Sequence, residues 1–231
     1  MKNPFKMLTR FELFLWIGSL LVVLVSSLLS PTPDVFSTVA SLIGVTSLIF
    51  IARGFAVGQA LIIVFATMYA LLSLEQSYYG ELITYAGMTL PMAVVSLIAW
   101  LRNPNGSTGE VKVRRLNARM LISVGLLSLV VTVVFYFVLS ALDTASLAVS
   151  TFSVATSFFA AMLTALRSPY YALAYAVNDI VLVVLWTIAA VNDPGAYSVV
   201  ACFVTFLVND LYGFISWIRM AKAQSIQQNV G

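Results

Sequence analysis

Apolar stretches of about twenty residues recur from Phe11 to Trp217, and each is long enough to cross a hydrocarbon core of roughly 30 Å as a helix. A chain built this way has few options, because away from water every backbone N–H and C=O must find a partner within its own segment. The remaining residues cannot furnish a soluble domain. Of 231 residues 61% are hydrophobic and 9% charged, against about 45–50% and about 25% in an ordinary soluble domain. Breaking the apolar runs at turn chemistry predicts eight spans, at 11–30, 35–52, 55–74, 78–101, 119–141, 145–166, 169–191 and 196–219. The breakers are Ser30-Pro31-Thr32-Pro33-Asp34, Arg53-Gly54, Asn103-Pro104-Asn105-Gly106, Arg167-Ser168-Pro169 and Asn192-Asp193-Pro194-Gly195. Only the 102–118 connection is long. The run from Phe11 to Leu29 exceeds the roughly 7–15 residues of a signal-peptide core and no A-x-A cleavage site follows, so it is expected to stay as the first span.

Charge tests the count, because cytoplasmic loops carry the excess of Lys and Arg and an error of one span would scramble the pattern. Lys2, Lys6 and Arg10 precede span one, Arg53 separates spans two and three, and Arg102, Lys112, Arg114, Arg115 and Arg119 flank the long loop. Arg167 separates spans six and seven, and Arg219 and Lys222 follow span eight. These are all 12 Lys and Arg of the chain, and they fall on one side. Asp34, Glu75, Glu81, Asp143 and Asp193 sit in or beside the opposite connections. Both termini are therefore expected in the cytoplasm, with residues 220–231 as a cytoplasmic tail. Nucleic-acid binding would be the other reading of a net charge of +3, but short clusters at helix ends form no basic stripe.

Several kinds of chemistry are missing. There is no histidine and one cysteine, Cys202, inside an apolar run. The commonest general base and metal ligand are thus absent, and one chain can build no disulfide or cysteine metal site. No GxxxxGK[ST] phosphate loop occurs. No metal, cofactor or catalytic residue is expected. Cys202 reads as a small packing residue.

The chain also repeats itself. Span two onward reads VFSTVASLIGVTSLIFIARGFAVGQALII and ends at YYGELITYAGMTLPMAVVSLIAWLRN; span six onward reads SLAVSTFSVATSFFAAMLTALRSPYYALAYAVND and ends at AYSVVACFVTFLVNDLYGFISWIRM. Each half gives a small-residue helix, a basic turn at Arg53 or Arg167, a second helix, an acidic turn, and a third helix closing on Trp-x-Arg at Trp100 or Trp217. The offset drifts between 114 and 117 residues. Four spans separate corresponding helices, an even number, so the halves run the same way and relate by an axis along the membrane normal. The expected architecture is all-α, one transmembrane domain over 1–231. It comprises an extra helix (11–30), a three-helix repeat (35–101), a linking helix (119–141) and a second three-helix repeat (145–219).

Ionisable groups at membrane depth are costly and usually mark a pathway. Asp179 follows Asn178 in span seven and Asp210 follows Asn209 in span eight. Helical spacing puts Tyr171, Tyr175 and Asn178 on one face, with Asp179 about 100° around. Thr205 and Tyr212 similarly neighbour Asn209, and Trp186 and Trp217 lie eight residues beyond their Asn. Trp217 fits an interfacial anchor beside Arg219 equally well. The bland reading of these polar groups is interhelical hydrogen bonding that holds the bundle together. It fits the asparagines better than the carboxyls. The first half offers Gln59, Thr67, Tyr69, Tyr85 and Thr89 as milder polar candidates, and Pro91 is expected to kink span four. Two buried carboxylates with aromatic neighbours and no basic partner suit a flat, cationic small molecule.

The segments YYGELITYAGMTLPMAVVSLIAWLRNP, EVKVRRL, RSPYYALAYAVNDIVLVVLW and VVACFVTFLVNDLYGFISWIRM resemble the PnuC vitamin transporters. The resemblance covers roughly residues 35–220. It implies a SWEET-like arrangement of two parallel three-helix bundles, a central site, and facilitated diffusion of nicotinamide riboside across a bacterial inner membrane, with cytosolic phosphorylation trapping the nucleoside. It also implies that Asn178, with Tyr171, Tyr175 and Trp186, holds the pyridine ring. The substrate-binding set expected from spacing and resemblance together is Asn178, Asp179, Asn209, Asp210, Tyr171, Tyr175, Trp186, Tyr212, Gln59 and Tyr85. Where many relatives have a Trp-rich stretch this chain has Tyr171, Ala174 and Tyr175, and Phe65 stands where polar residues are often found. Thiamine, riboflavin and deoxynucleosides are therefore alternative cargoes. Other readings are a membrane enzyme acting on lipid, which lacks a nucleophile beside the carboxyls, a structural subunit, a homo-oligomer, and proton coupling through Asp179 or Asp210.

Overall fold

The computed structural model describes residues 4–30, 34–75, 79–106, 109–144, 146–191 and 197–230. The expected Asn192-Asp193-Pro194-Gly195 turn, and most of the Ser30–Asp34 turn, lie outside the described residues, as do the side chains of Glu75 and Glu81. After a short 3-10 turn at Pro4–Met7, the helices are α1 (Arg10–Leu28), α2 (Val35–Ala52), α3 (Ala56–Glu75), α4 (Tyr79–Thr84), α5 (Leu90–Leu101), α6 (Ala118–Ala141), α7 (Leu147–Ala165), α8 (Tyr171–Ala190) and α9 (Tyr197–Val230). Eight helical segments, with α4 and α5 forming one, are long and apolar enough to cross a membrane.

Local chemistry sets the helix ends. Thr9 and Glu12 form a capping box on α1, with the Glu12 amide donating to Thr9 Oγ1 and the Thr9 amide to Glu12 Oε2. Asp34 caps α2 by accepting from the Phe36 and Ser37 amides, and Asn117 caps α6 by accepting from Met120. After α2 the chain turns through Gly54 at φ 69°, a left-handed conformation that glycine adopts without cost. After α7 the corresponding place is taken by Arg167 at φ 59°. The Phe55 amide reaches back to the Phe50 carbonyl, and the Ser168 amide to that of Leu163. The two turns thus match at an offset of 113 residues, one less than the smallest sequence offset. That pairs Arg167 with Gly54 instead of Arg53.

Span four is broken where Pro91 demands it. Proline supplies no amide to the turn before it, and the backbone accommodates this with a π turn at Tyr85–Thr89, in which the Leu90 amide bonds to the Tyr85 carbonyl. Such bulges are one of the few identifiable causes of a break in a long helix. Span eight departs from expectation in length: α9 continues to Val230, so residues 220–230 are helix. Polar residues such as Lys222 and Gln224 end a hydropathy run without ending a helix.

Helices α2, α3 and α4–α5 pack together, as do α7, α8 and α9; α6 leans on α7, and α1 lies across α2 and α9. Buried residues make up 11% of the α6 span and 17% of the α1 span, against 50% for α2. With α6 packed on α7 and α1 on α2 and α9, these two helices are peripheral to the groups of three. The two groups of three meet through α2–α9 and α5–α7 contacts. At the meeting point the Trp100 and Trp217 rings pack at a 47° tilt with centroids 5.3 Å apart. Trp100 Nε1 donates across the interface to the Thr164 carbonyl at 2.9 Å, and Trp217 Nε1 to the Ile51 carbonyl at 2.8 Å. Each indole belongs to one group and each carbonyl to the other. Trp217 is fully buried, so it is no interfacial anchor.

Candidate functional site

The second group of helices brings its two carboxyls together. Asp179 on α8 and Asp210 on α9 are both buried, and their side chains lie against each other across the α8–α9 interface. Asp179 Oδ2 has no hydrogen-bond partner among the described residues. No lysine or arginine is among the groups acting on either carboxyl. A buried charge in this position is tolerable only if it is paired, shared as a proton, or met by a ligand.

Aromatic side chains form the adjoining wall. Tyr175 is within hydrogen-bonding reach of Thr164 and within electrostatic range of Asp179 and Asp210, one helical turn before Asp179. Tyr171 is fully buried, meets the Tyr175 ring edge-on at 6.4 Å, and meets Trp217 edge-on at 4.8 Å. A continuous set of rings thus runs from Trp100 through Trp217 and Tyr171 to Tyr175 beside the carboxyls. Gly213 on α9 faces this wall: a Cβ there would sit 3.4 Å from both Ala172 Cβ and the Tyr171 hydroxyl, in van der Waals contact. Asn178 faces α7, where Thr156 Oγ1 donates to its Oδ1 at 2.8 Å. That bond fixes the carboxamide, leaving Nδ2 as the end free to be aimed by the helix.

Other expected site residues are placed elsewhere. Asn209 Nδ2 donates to Ser19 Oγ and to the Thr205 carbonyl, both at 2.8 Å. Tyr212 donates to Glu12 Oε1 at 2.6 Å. Both residues face α1 and do not join Asp210, because Asp210 follows Asn209 and so points about 100° around the helix from it. Trp186 is half-buried on α8, beyond Asp179. Gln59 on α3 is buried, with Nε2 unpartnered among the described residues. Tyr85 lies in the π turn and packs in an aromatic cluster with Phe65 and Tyr69, whose hydroxyl is 2.9 Å from Ser41 Oγ. Cys202, half-buried on α9, is within hydrogen-bonding reach of Ser41.

Sequence reasoning missed Glu12. It lies in the first turn of α1, fully buried, and accepts from Tyr212, while Arg53 Nη1 lies 3.5 Å from it. The same guanidinium lies 3.5 Å from Glu110. The signal was available in Thr9-x-x-Glu12, a capping-box pattern ahead of an apolar run. Trp16 Nε1, donating to Thr46 Oγ1 at 3.1 Å, Ser27, bonded to Thr38, and Asn209 add further polar ties of α1 to the bundle.

Residues 34–219 match a family model described as nicotinamide mononucleotide transporter. The chain is 26% identical over 228 residues, 95% of its length and 85% of the relative's, to the nicotinamide riboside transporter PnuC of Neisseria mucosa. It superposes with a TM-score of 0.79 on the crystal structure of the vitamin B3 transporter PnuC, covering 94% of each chain at 24% identity.

Proposed function

We propose, from the premise that this chain belongs to the nicotinamide mononucleotide transporter family, that it carries nicotinamide riboside across a bacterial inner membrane by facilitated diffusion. The observation that carries this reading is the buried Asp179–Asp210 pair beside Tyr171 and Tyr175. Nicotinamide riboside is a pyridinium nucleoside with a fixed positive charge on a flat ring. A cation between the carboxyls offsets the cost of burying them, and the tyrosine rings add stacking and cation–π contact. Asn178, oriented by Thr156, presents an amide donor suited to the nicotinamide carboxamide. Phosphorylation of the nucleoside in the cytosol gives an anion that the acidic site rejects, which makes net uptake irreversible without an energy source on the transporter.

The two groups of three helices are parallel repeats in this reading, with α1 as the extra helix and α6 as the link. The reciprocal Trp100–Thr164 and Trp217–Ile51 hydrogen bonds support that symmetry. In that symmetry the relating axis would run beside the Trp100–Trp217 pair. Rocking of one bundle against the other about this contact would open the carboxyl site to each side in turn.

The test uses the purified protein in liposomes. Radiolabelled nicotinamide riboside is expected to equilibrate across the bilayer with no ATP and no ion gradient, and unlabelled thiamine, riboflavin and deoxynucleosides to compete weakly. Binding without flux would overturn transport, and tighter competition by thiamine or a deoxynucleoside would reassign the cargo.

A further inference from the structure

The basic end of the molecule carries a feature that solute movement does not use. Residues 110–114 run as a strap across it. The Val111 amide donates to the Gly54 carbonyl at 2.9 Å and the Arg114 amide to the Arg167 carbonyl at 3.0 Å. The strap thereby touches the turn after α2 and the turn after α7. Gln224, on the extension of α9, clamps it from the side: the Val113 amide donates to Gln224 Oε1 at 2.9 Å, and Gln224 Nε2 donates to the Val111 carbonyl at 3.1 Å. Arg167 Nη1 donates to the Lys112 carbonyl at 3.3 Å.

Between strap and extension lies a cleft of about 330 Å³, lined by Lys112, Arg114, Arg115, Gln224 and Ser225 among others, with no carboxylate in its wall. Behind it, burial and the neighbouring Arg114 charge pull the Arg167 guanidinium below its ordinary value. Among the described residues Arg53 pairs with Glu12 and with Glu110 at the start of the strap, and Lys112, Arg114 and Arg115 make no ion pair. The topological excess of basic residues accounts for cations at this end of the bundle. It does not account for three of them on one concave wall, beside a fourth, where like charges repel.

We propose that this cleft is a phosphate-binding site, taking the phosphate of a soluble nucleoside monophosphate or of an anionic lipid headgroup on Lys112, Arg114 and Arg115. The guanidinium fork matches phosphate oxygens in bidentate geometry and the lysine adds a point charge. The cleft's volume lies within the roughly 300–1,000 Å³ of small-molecule sites. The polar wall from Gln224 and Ser225 suits a solvated anion over an apolar ligand. A phosphate seated here bridges strap and α9, and so braces the end of the bundle that must open for release. Its two sources share this chemistry and differ in origin: the monophosphate arises when the transported nucleoside is phosphorylated, the headgroup from the inner leaflet.

The experiment measures the melting temperature of the full-length protein under two titrations. One adds inorganic phosphate or a nucleoside 5′-monophosphate in neutral detergent. The other adds phosphatidylglycerol to phosphatidylcholine bicelles. A saturable rise in either, shrinking as salt is raised and at least tenfold weaker in K112A/R115A, supports the site. A response to the monophosphate identifies the soluble source, and one confined to phosphatidylglycerol the lipid. Nicotinamide riboside equilibration is expected to be retained by the variant without added phosphate, which separates this result from failure of the transport reading. Should the double variant not fold, R115Q is read in its place. No response in either titration, or a response that the variants leave unchanged, overturns the proposal.

Discussion

Taking Asp179 and Asp210 out of water costs several kcal/mol for each charge that persists, and no basic side chain acts on either. A cationic ligand gains what the pair lacks, so removing one negative charge while keeping the side-chain shape should weaken the cation selectively. Asp179→Asn and Asp210→Asn are each expected to lose at least tenfold in affinity for nicotinamide riboside by isothermal titration, about 1.4 kcal/mol. The loss for an uncharged nucleoside should be smaller. Equal losses for both ligands would mean that the carboxyls shape the site without reading charge. Asn209 is the contrasting case. Its bond to Ser19 joins α9 to α1, so Asn209→Ala should lower the melting temperature and leave affinity within about twofold. The sequence reveals that Asn178-Asp179 and Asn209-Asp210 are buried polar pairs, since such residues stand out against apolar runs. It does not reveal which member of a pair meets the other carboxyl and which turns to a neighbouring helix. Neighbours on a helix point about 100° apart, and the deciding fact is where α1 packs, which periodicity does not carry. The capping pattern marks Glu12, but its partners Tyr212 and Arg53 were hidden for the same reason: they lie 200 and 41 positions away and meet it only in the folded chain.

Helix number and type were legible because membrane helices need a fixed apolar length, and the expected bounds of α2 and the expected close of span four at Leu101 agree with the structure. The extension of α9 was not legible, because hydropathy reports where lipid ends and not where hydrogen bonding ends. That extension has a definite job in holding the strap. Gln224 satisfies one amide and one carbonyl of residues 111–113 at once, and both groups would otherwise need water. Gln224→Ala should raise the hydrogen-exchange rate of the Val113 amide at least tenfold, while amides in the α2 interior keep their protection. Unchanged exchange at Val113 would show that contacts to Gly54 and Arg167 suffice to hold the strap. The break in span four is the complementary case: Pro91 announced it, but the π turn at Tyr85–Thr89 depends on how α3 and α7 confine the segment.

At the scale of the molecule, charge and symmetry constrain each other. The structure gathers the turn after α2, the 102–117 connection, the turn after α7 and the extension of α9 at one end through strap hydrogen bonds, so their basic residues share a side. That is the pattern a bilayer imposes on inserted loops, and an odd number of spans would have divided them between two sides. Under the proposed repeat, helices four spans apart run parallel by the same parity, and Trp100 and Trp217 each hold a carbonyl of the opposite group, Thr164 and Ile51. If the basic end is cytoplasmic, Asp34 at the start of α2 is outside and Ser225 inside. In a Cys202→Ala background, a membrane-impermeant maleimide applied to intact cells should label Asp34→Cys and spare Ser225→Cys, with both labelled after permeabilisation. Labelling of Ser225→Cys alone would invert the topology and turn the strap and its cleft outward. They would then face no cytosolic phosphate, and the carboxyl site would meet its cargo from the other side first.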